Sequence, residues 1–463
     1  MMRPALPCFV LAALAATTTA CGSEDDPTAS SSGATETTGD PASSTNSETG
    51  TASGTETSAS GTDPETGTET TGEPSCDLDD PQLVDQAYLA WNEGAEGVEL
   101  SACDHHVWWV SAANGTELTL DIAADAAVEV AISYPDEPSF TETLVSDTLY
   151  DPGSLSFTSV RSGEFAVVVR ALNPAADPEL VLDYDIEVSC TNQCGRETTR
   201  FPLVMVHGWT GFENIGPLTY FFNVQDDLED LGYPIAIAVL DPYNSVDIRG
   251  EQLKDFVATV LANQRARKVN LLGHSQGGID SRYVAAEGGG GYGDRVGAVI
   301  TLGTPHYGTP FTDIALGLIP GPTEPVLAFL FNFLGAAQDQ QSDVLASLET
   351  LSETFMQEEF NVLYVDDPRV KYYSWMGETC VGGLGCQDIL DPLLVFSYET
   401  IFAEAGANDG LVPESSAMWG EYLGLIPADH IDQIGQIAGV TGLNYDHIEF
   451  FRDNARMLRD ELF

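Results

Sequence analysis

The chain has 463 residues, with 72 acidic side chains against 17 basic ones and a formal net charge of −55. This length is sufficient for two or three domains. The negative charge would repel phosphate backbones, so we exclude nucleic acid as a partner and expect a strongly solvated surface.

The N-terminus has the pattern of an export signal. Arg3 precedes an apolar stretch at 9–16, which is followed by small residues at 17–20 and by Cys21. The stretch is too short to span a bilayer, which is typical of a cleaved signal peptide. Small residues before a cysteine are similar to a bacterial lipoprotein signal. We predict a signal peptide at 1–20 and a lipid anchor at Cys21, at the outer membrane or cell surface; secretion without an anchor is the alternative.

Residues 21–75 consist mainly of Ser, Thr, Gly and acidic residues, with scattered Pro. Such a composition cannot bury enough apolar surface to offset the entropy of the chain, and it predicts a disordered linker. Like charges along the linker favour an extended form, which would hold the folded domains away from a membrane surface.

Residues 76–194 alternate between apolar and polar side chains in short segments that turn residues separate. Strands of this length and spacing predict a small antiparallel β-sandwich. The region is similar to the accessory β-sandwich domains found beside secreted bacterial peptidases. Because His105 and His106 have no partner cluster in the sequence, we interpret them as polar residues of an edge strand rather than as a metal pair.

The cysteine count indicates three disulfides. Of eight cysteines, Cys8 lies in the signal and Cys21 at its end, which leaves six in exported sequence. Disulfides are the default in that compartment. Six cysteines allow fifteen sets of pairs; proximity in the sequence favours Cys380–Cys386 and Cys190–Cys194, which leaves Cys76 with Cys103.

From residue 201 to 463, short apolar runs alternate with amphipathic stretches. The runs predict strands at 203–206, 235–240, 269–272, 299–302 and 370–375. The stretch 250–263 carries apolar residues on one face and predicts a helix. This alternation indicates an α/β domain with a mostly parallel sheet covered by helices on both sides.

The run at 269–272 leads directly into Gly273-His274-Ser275-Gln276-Gly277, and a helical pattern follows. A G-x-S-x-G segment between a strand and a helix predicts a nucleophile elbow, a sharp turn that exposes the serine Oγ and requires glycine on both sides. The alternative is a Gly-rich turn without a catalytic role. We predict that Ser275 is a catalytic nucleophile.

The partners of Ser275 follow from the chemistry of acyl transfer. Attack on a carbonyl carbon leaves negative charge on the oxygen, which two backbone N–H groups should stabilise. We predict that Gln276, which begins the elbow helix, and Trp209, in the loop after strand 203–206, supply these groups.

The general base must be a histidine that follows Ser275, if the chain has the order Ser, Asp, His. His430, in a polar loop, and His447, before the last helix, both satisfy this order. Asp409 lies in a turn before apolar residues and is the candidate for the acid that orients the base.

Several segments between 201 and 460 together resemble the true triacylglycerol lipases of the Pseudomonas and Burkholderia type, which have the α/β-hydrolase fold with a lid. The matching segments are 206–212, 249–253, 269–278, 281–285, 303–306, 373–375 and 408–412. The resemblance implies a catalytic triad of Ser275, Asp409 and His430, which decides against His447. It also implies oxyanion donors at Gln276 and at Trp209, where the family usually has leucine.

The resemblance further implies a structural calcium ion beside the catalytic histidine and no organic cofactor. The implied ligands are the carboxylates of Asp391 and Asp432 and the backbone carbonyls of Gln436 and Val440. Such oxygen donors suit calcium, which would hold the loop of His430 against the sheet. A dedicated folding chaperone is a further partner that the family implies.

Residues 311–360 are the expected lid. The segment 325–337 is almost entirely apolar but too short to span a membrane, and it follows 303–306, where such lipases insert a lid. A buried core helix is the alternative. An amphipathic helix at 343–360 is expected to border it. Such a lid would cover Ser275 in water and open at a lipid surface.

These features together predict an exported serine lipase that hydrolyses ester bonds of acylglycerols at a lipid/water interface through an acyl-enzyme. An esterase, a phospholipase or a polyester depolymerase would use the same triad. An alternative from another class is a surface-tethered binding protein with an inactive hydrolase domain.

Overall fold

The computed structural model describes residues 82–136, 142–209, 214–215, 218–327, 343–381 and 388–463. The predicted signal, anchor and linker lie outside the described residues, as do Cys76, Cys386 and most of the apolar segment 325–337. Every described residue belongs to one compact unit of the chain, Gly72–Phe463. Within the described part, no helix is long and apolar enough to cross a membrane.

Residues 82–192 form two packed β-sheets, in agreement with the predicted β-sandwich. The strands are β1 Gln82–Tyr88, β2 Glu93–Ser101, β3 Asp104–Ala112, β4 Glu117–Ala124, β5 Val128–Ser133, β6 Thr143–Leu149, β7 Gly153–Thr158, β8 Gly163–Ala171 and β9 Val181–Asn192. One sheet has the order β1-β3-β8-β5-β6 and the other β2-β9-β4-β7. All pairs are antiparallel except β1 with β3. Apolar side chains of both sheets share one core, which includes Trp108, Phe165 and Tyr184.

His105 and His106 do not lie on an edge strand, and that part of the sequence prediction was wrong. Their strand β3 lies between β1 and β8 and is therefore not an edge strand. His106 is buried, and its Nδ1 lies 2.9 Å from the hydroxyl of Tyr184. Among the described residues, neither His105 nor His106 belongs to a cluster of metal-ligating groups.

The second half contains a six-stranded parallel sheet, which confirms the predicted α/β class. Its order is β13-β10-β14-β15-β16-β17. The strands are β10 Leu203–Val206, β13 Ile235–Ala238, β14 Val269–His274, β15 Val296–Leu302, β16 Lys371–Gly377 and β17 Glu421–Ile426, with a separate hairpin of β11 Asn214–Ile215 and β12 Leu218–Thr219. The sequence predicted five of the six sheet strands and missed β17, which lies at the edge of the sheet.

Helices connect these strands. They are α1 Val224–Leu231, α2 Val246–Gln264, α3 Gln276–Ala285, α4 Pro310–Leu316, α5 Val344–Thr350, α6 Glu353–Phe355, α7 Asn361–Leu363, α8 Val395–Ala405, α9 Glu414–Ala417 and α10 His447–Asp460, with a π-helical turn at Met356–Phe360. The helix predicted at 343–360 is interrupted after α5. Ser352 has extended backbone angles there, and its hydroxyl accepts from the Phe355 N–H to begin a new helix.

The predicted disulfide between Cys190 and Cys194 is present, with an S–S distance of 2.01 Å. Cys103 and Cys380 also take part in disulfides. Their predicted partners lie outside the described residues.

A buried carboxylate joins the sandwich to the α/β sheet. Glu164, on β8, has only 2% of its side chain exposed and pairs with Arg200 and Arg267. Arg267 lies between α2 and β14, and its guanidinium carbon is 3.5 Å from the ring centroid of Trp109 on β3. The two parts of the described chain are therefore connected by charge pairing and by cation–π contact.

We expect Glu164→Ala to lower the free energy of unfolding by about 2–3 kcal/mol, because it leaves two partly buried guanidinium groups without their carboxylate. Glu142→Ala is the matched control, since that carboxylate pairs with Arg265 but is 60% exposed. An exposed pair contributes about 0–1 kcal/mol. Urea unfolding of both variants tests this difference, and equal losses would contradict it.

Candidate active site

Ser275 lies in a sharp turn between β14 and α3, as the sequence predicted. Its φ of 57° and ψ of −130° are unusual for a residue with a side chain. A Cβ added at Gly273 would lie 2.5 Å from the Gly277 carbonyl, and one at Gly277 would lie 2.3 Å from the Val206 oxygen. Because these backbone segments touch directly, only glycine fits on either side of the serine, and the turn is held in its strained form.

The structure brings His430 and Asp409 together. The Nδ1–H of His430 donates to Asp409 Oδ2 at 2.7 Å, and the Asp409 side chain is fully buried. The other carboxylate oxygen accepts from the N–H groups of Leu411 and Val412 at 3.0 and 2.8 Å. With Nδ1–H engaged, the Nε2 atom of His430 is the ring nitrogen left to accept a proton. His430 and Ser275 line the same cavity.

Gln433 also contacts the buried acid, and sequence reasoning missed it. Its Nε2 donates to Asp409 Oδ2 at 2.7 Å, and its side chain is fully buried. A Cβ at Gly303 would lie 2.4 Å from its Oε1, and one at Gly377 would lie 2.3 Å from its Nε2. The amide therefore occupies a space that two glycines leave free, and it helps to fix the carboxylate that faces His430.

The loop after β10 is packed against Ser275. A Cβ at Gly208 would lie 2.5 Å from the Cβ of Ser275. The Gly208 N–H donates to the Tyr220 hydroxyl at 2.9 Å, and that hydroxyl forms a second hydrogen bond of 2.7 Å with His274 Nδ1. The next residue, Trp209, lines the cavity together with Ser275.

A buried arginine supports the same loop from behind. Arg249, on α2, donates to the carbonyl oxygen of His207 at 2.8 Å and pairs with Asp280 of α3 at 2.7 Å. Neither charged side chain is exposed. The loop, the helix that begins at Gln276 and α2 are therefore held together by one guanidinium group.

The remaining histidines of this half have structural contacts. Burial lowers the pKa of His207 to about 3 and holds the pKa of His274 and His306 well below the ordinary value. These three rings are therefore neutral. His447, the alternative base in the sequence, is the first residue of α10. Its Nε2 lies 2.9 Å from the carbonyl oxygen of Phe222.

Three buried carboxylates lie close together behind His430. Ligand oxygens of Asp388, Asp429 and Asp432 are all within 4.8 Å of one another. Burial, and then the negative charges of its neighbours, raise the pKa of Asp432 to about 8; burial also raises the pKa of Asp429 to about 6. Such a set of hard oxygen donors fits a divalent cation such as calcium.

The cluster differs in part from the predicted ligand set. Asp432 belongs to it, but the Asp391 carboxylate is not among the three grouped residues; the Asp391 N–H instead donates to Asp429 at 2.8 Å. Gln436 lines the catalytic cavity, and the Val440 side chain is 65% exposed. The sequence did not identify Asp388 and Asp429, although both flank predicted site residues closely.

The cavity at Ser275 is small and mainly apolar. Its lining comprises Trp209, Tyr220, His274, Ser275, Pro305, Thr309, Phe311, Thr312, Leu351, Leu411, Val412, His430 and Gln436. Its volume is about 50 Å³, against roughly 300–1,000 Å³ for typical ligand pockets. A larger substrate therefore requires movement of the surrounding segments.

We expect Gln433→Met to lower kcat for a soluble p-nitrophenyl ester by roughly tenfold or more, because Asp409 loses a donor and holds His430 less firmly. KM should change less than about twofold, since Gln433 does not line the cavity. Gln357→Met is the control, because that exposed amide bonds to the Tyr307 carbonyl away from Asp409. An unchanged kcat would contradict the role of Gln433.

No protein-family model matches the chain. The triacylglycerol lipase of Pseudarthrobacter phenanthrenivorans is 31% identical over 314 residues, which cover 56% of this chain and 97% of that lipase. The triacylglycerol lipase of Vibrio cholerae is 32% identical over 299 residues, covering 58% and 90%. Among solved structures, a Bacillus licheniformis lipase in its mature form has 25% identity and a TM-score of 0.43, with 57% of this chain and 94% of that one covered.

The similarity to the curated lipases covers almost their whole length. The matched part is 31% identical to the Pseudarthrobacter enzyme and spans 97% of it. A third such lipase, from Burkholderia plantarii, is also 31% identical, and the match covers 86% of that lipase. The chain belongs to the bacterial triacylglycerol lipase family and is a carboxylester hydrolase.

Proposed function

We propose that the chain hydrolyses ester bonds of acylglycerols with Ser275 as nucleophile, His430 as general base and acid, and Asp409 as the orienting group. The observation that supports this most strongly is the buried 2.7 Å contact between His430 Nδ1 and Asp409 Oδ2, because His430 also lines the cavity that contains the strained Ser275.

The first half-reaction forms an acyl-enzyme. As Ser275 Oγ attacks the carbonyl carbon, its proton passes to His430 Nε2, and Asp409 stabilises the imidazolium that results. The backbone N–H groups of Trp209 and Gln276 receive the negative charge on the oxygen. The tetrahedral intermediate then breaks its bond to the alkoxy oxygen, which leaves as an alcohol with the proton from His430.

The second half-reaction uses water. His430 takes a proton from the water as its oxygen attacks the acyl carbon, and the ester bond to Ser275 breaks. The serine oxygen recovers a proton from His430, and the fatty acid leaves. Both half-reactions use the same two N–H donors, which is why the position of the β10 loop matters throughout the cycle.

We also propose that a calcium ion binds at Asp388, Asp429 and Asp432, with backbone carbonyls such as those of Gln436 and Val440 as further donors. A bound cation would offset the repulsion among these carboxylates. Since Asp429 and Asp432 flank His430, the ion would fix the loop that carries the base. It would have no part in bond breaking.

The remaining parts of the proposal concern export, the membrane, the lid and a folding partner. We propose export, with a lipid anchor at Cys21, action at a lipid/water interface, and a lid within 311–360. Support for the lid comes from Phe311, Thr312 and Leu351, which belong to this segment and line the cavity. A dedicated folding chaperone remains the partner that the family resemblance implies.

Ser275→Ala should abolish hydrolysis of tributyrin and of p-nitrophenyl butyrate, because no other nucleophile occupies the elbow. We expect a loss of about 10⁴-fold or more. Ser281→Ala, on the same helix but bonded to the Gly277 carbonyl, is the matched serine control. Substantial activity in Ser275→Ala would overturn the assignment.

Chelation of calcium should lower the melting temperature by roughly 5–10 °C at pH 8 and by less at pH 5. The raised pKa values of Asp432 and Asp429 mean that, without a cation, their ionisation opposes folding increasingly as the pH rises from about 4 to 8. At pH 5 these groups are largely protonated, so a cation adds less stability.

Asp432→Asn should remove most of the sensitivity to chelator, whereas Asp453→Asn, with a 68% exposed side chain, should keep it. Thermal unfolding with and without a chelator measures the effect. A melting curve at pH 8 that does not respond to chelator would contradict calcium binding at this cluster.

A further inference from the structure

The side chain of Trp209 has a position that its backbone role does not explain. It lines the cavity with Ser275, and its ring meets that of Tyr243 edge-on, with centroids 5.8 Å apart. It also packs against two buried apolar clusters, one that includes Phe311 and one that includes Leu351. The indole is therefore wedged between two parts of the core at the edge of the catalytic cavity.

The cavity lining contains two groups of side chains with different roles. His430, Leu411 and Val412 are tied to the buried Asp409, since the N–H groups of Leu411 and Val412 donate to it. Trp209, Phe311 and Leu351 belong to the apolar clusters of the core.

The chemistry relates these groups to the two parts of the ester. His430 must deliver a proton to the departing alkoxide, so the alcohol part lies beside His430. The acyl chain is then left beside Trp209, whose N–H is the proposed donor to the carbonyl oxygen.

Trp209 contributes the bulk of its indole to the cavity lining, rather than a hydrogen bond. Its Nε1–H is buried and, among the described residues, has no acceptor. A buried donor without a partner costs about 1–3 kcal/mol. The structure tolerates that cost at a position where an aliphatic side chain would carry none.

The volume beside Ser275 is consistent with a short acyl chain. The cavity of about 50 Å³ is about a third of the dry cavity of about 150 Å³ that holds benzene.

We propose that the Trp209 indole limits the length of the acyl chain and makes the enzyme selective for esters of short fatty acids. This inference rests on the proposed function, because it assumes that the acyl group is transferred to Ser275. The side chain acts on specificity, while the backbone N–H of the same residue acts on the oxyanion.

The test compares kcat/KM for p-nitrophenyl butyrate and octanoate, below the concentration at which either aggregates. The wild-type enzyme should prefer butyrate by at least tenfold. Trp209→Leu should raise the octanoate-to-butyrate ratio by at least tenfold, since a pocket discriminates acyl groups by roughly 10–200-fold per methylene. Trp209→Phe should give an intermediate ratio. The ratio is taken within each variant, because an altered oxyanion donor affects both substrates equally and cancels in the ratio.

Phe396→Leu is the matched control. Phe396 packs against the same apolar cluster as Trp209 but does not line the cavity, so its variant should keep the wild-type ratio. If Trp209→Leu fails to fold, Trp209→Phe still decides the question. A ratio within twofold of wild type in the Trp209 variants, or a wild-type preference for octanoate, overturns the proposal. If Ser275→Ala still abolishes activity in that case, the proposed function stands although the proposal about Trp209 fails.

Discussion

The structure depends on the direct contact of three backbone segments around Ser275. Strand β10, the turn after β14 and the start of α3 approach so closely that a Cβ at Gly208 would lie 2.5 Å from the serine Cβ, and one at Gly277 would lie 2.3 Å from the Val206 oxygen. This contact forces Ser275 to a positive φ and brings the β10 loop beside it. The proposed oxyanion donors and the proposed nucleophile are therefore positioned by the same packing, before any substrate binds.

The loop at 429–433 connects chemistry with stability. His430 and Gln433 face the buried Asp409, whereas Asp429 and Asp432 face Asp388 in the acidic cluster. A cation at that cluster would neutralise Asp429 and Asp432, whereas the proposed proton transfer takes place at His430 between them. Both groups therefore belong to one loop of five residues.

The sequence was most informative where the required residues are neighbours in the chain. The elbow, the parallel strands β10 and β13–β16, and the Cys190–Cys194 disulfide could all be predicted, because each depends on local pattern or spacing. Gln433 could not, since its role depends on glycines at 303 and 377 that leave room for its amide. Asp388 and Asp429 were also missed, because only the fold shows which carboxylates lie close to Asp432.

The central claim is that the geometry at the elbow makes Ser275 the reactive nucleophile. Labelling with a fluorophosphonate probe, digestion with trypsin and mass spectrometry of the peptide 269–282, which lies between Lys268 and the bond after Arg282, test it most directly. The account predicts one adduct per chain, located on Ser275 rather than Ser281. An unlabelled protein, or an adduct on any other residue, would contradict it.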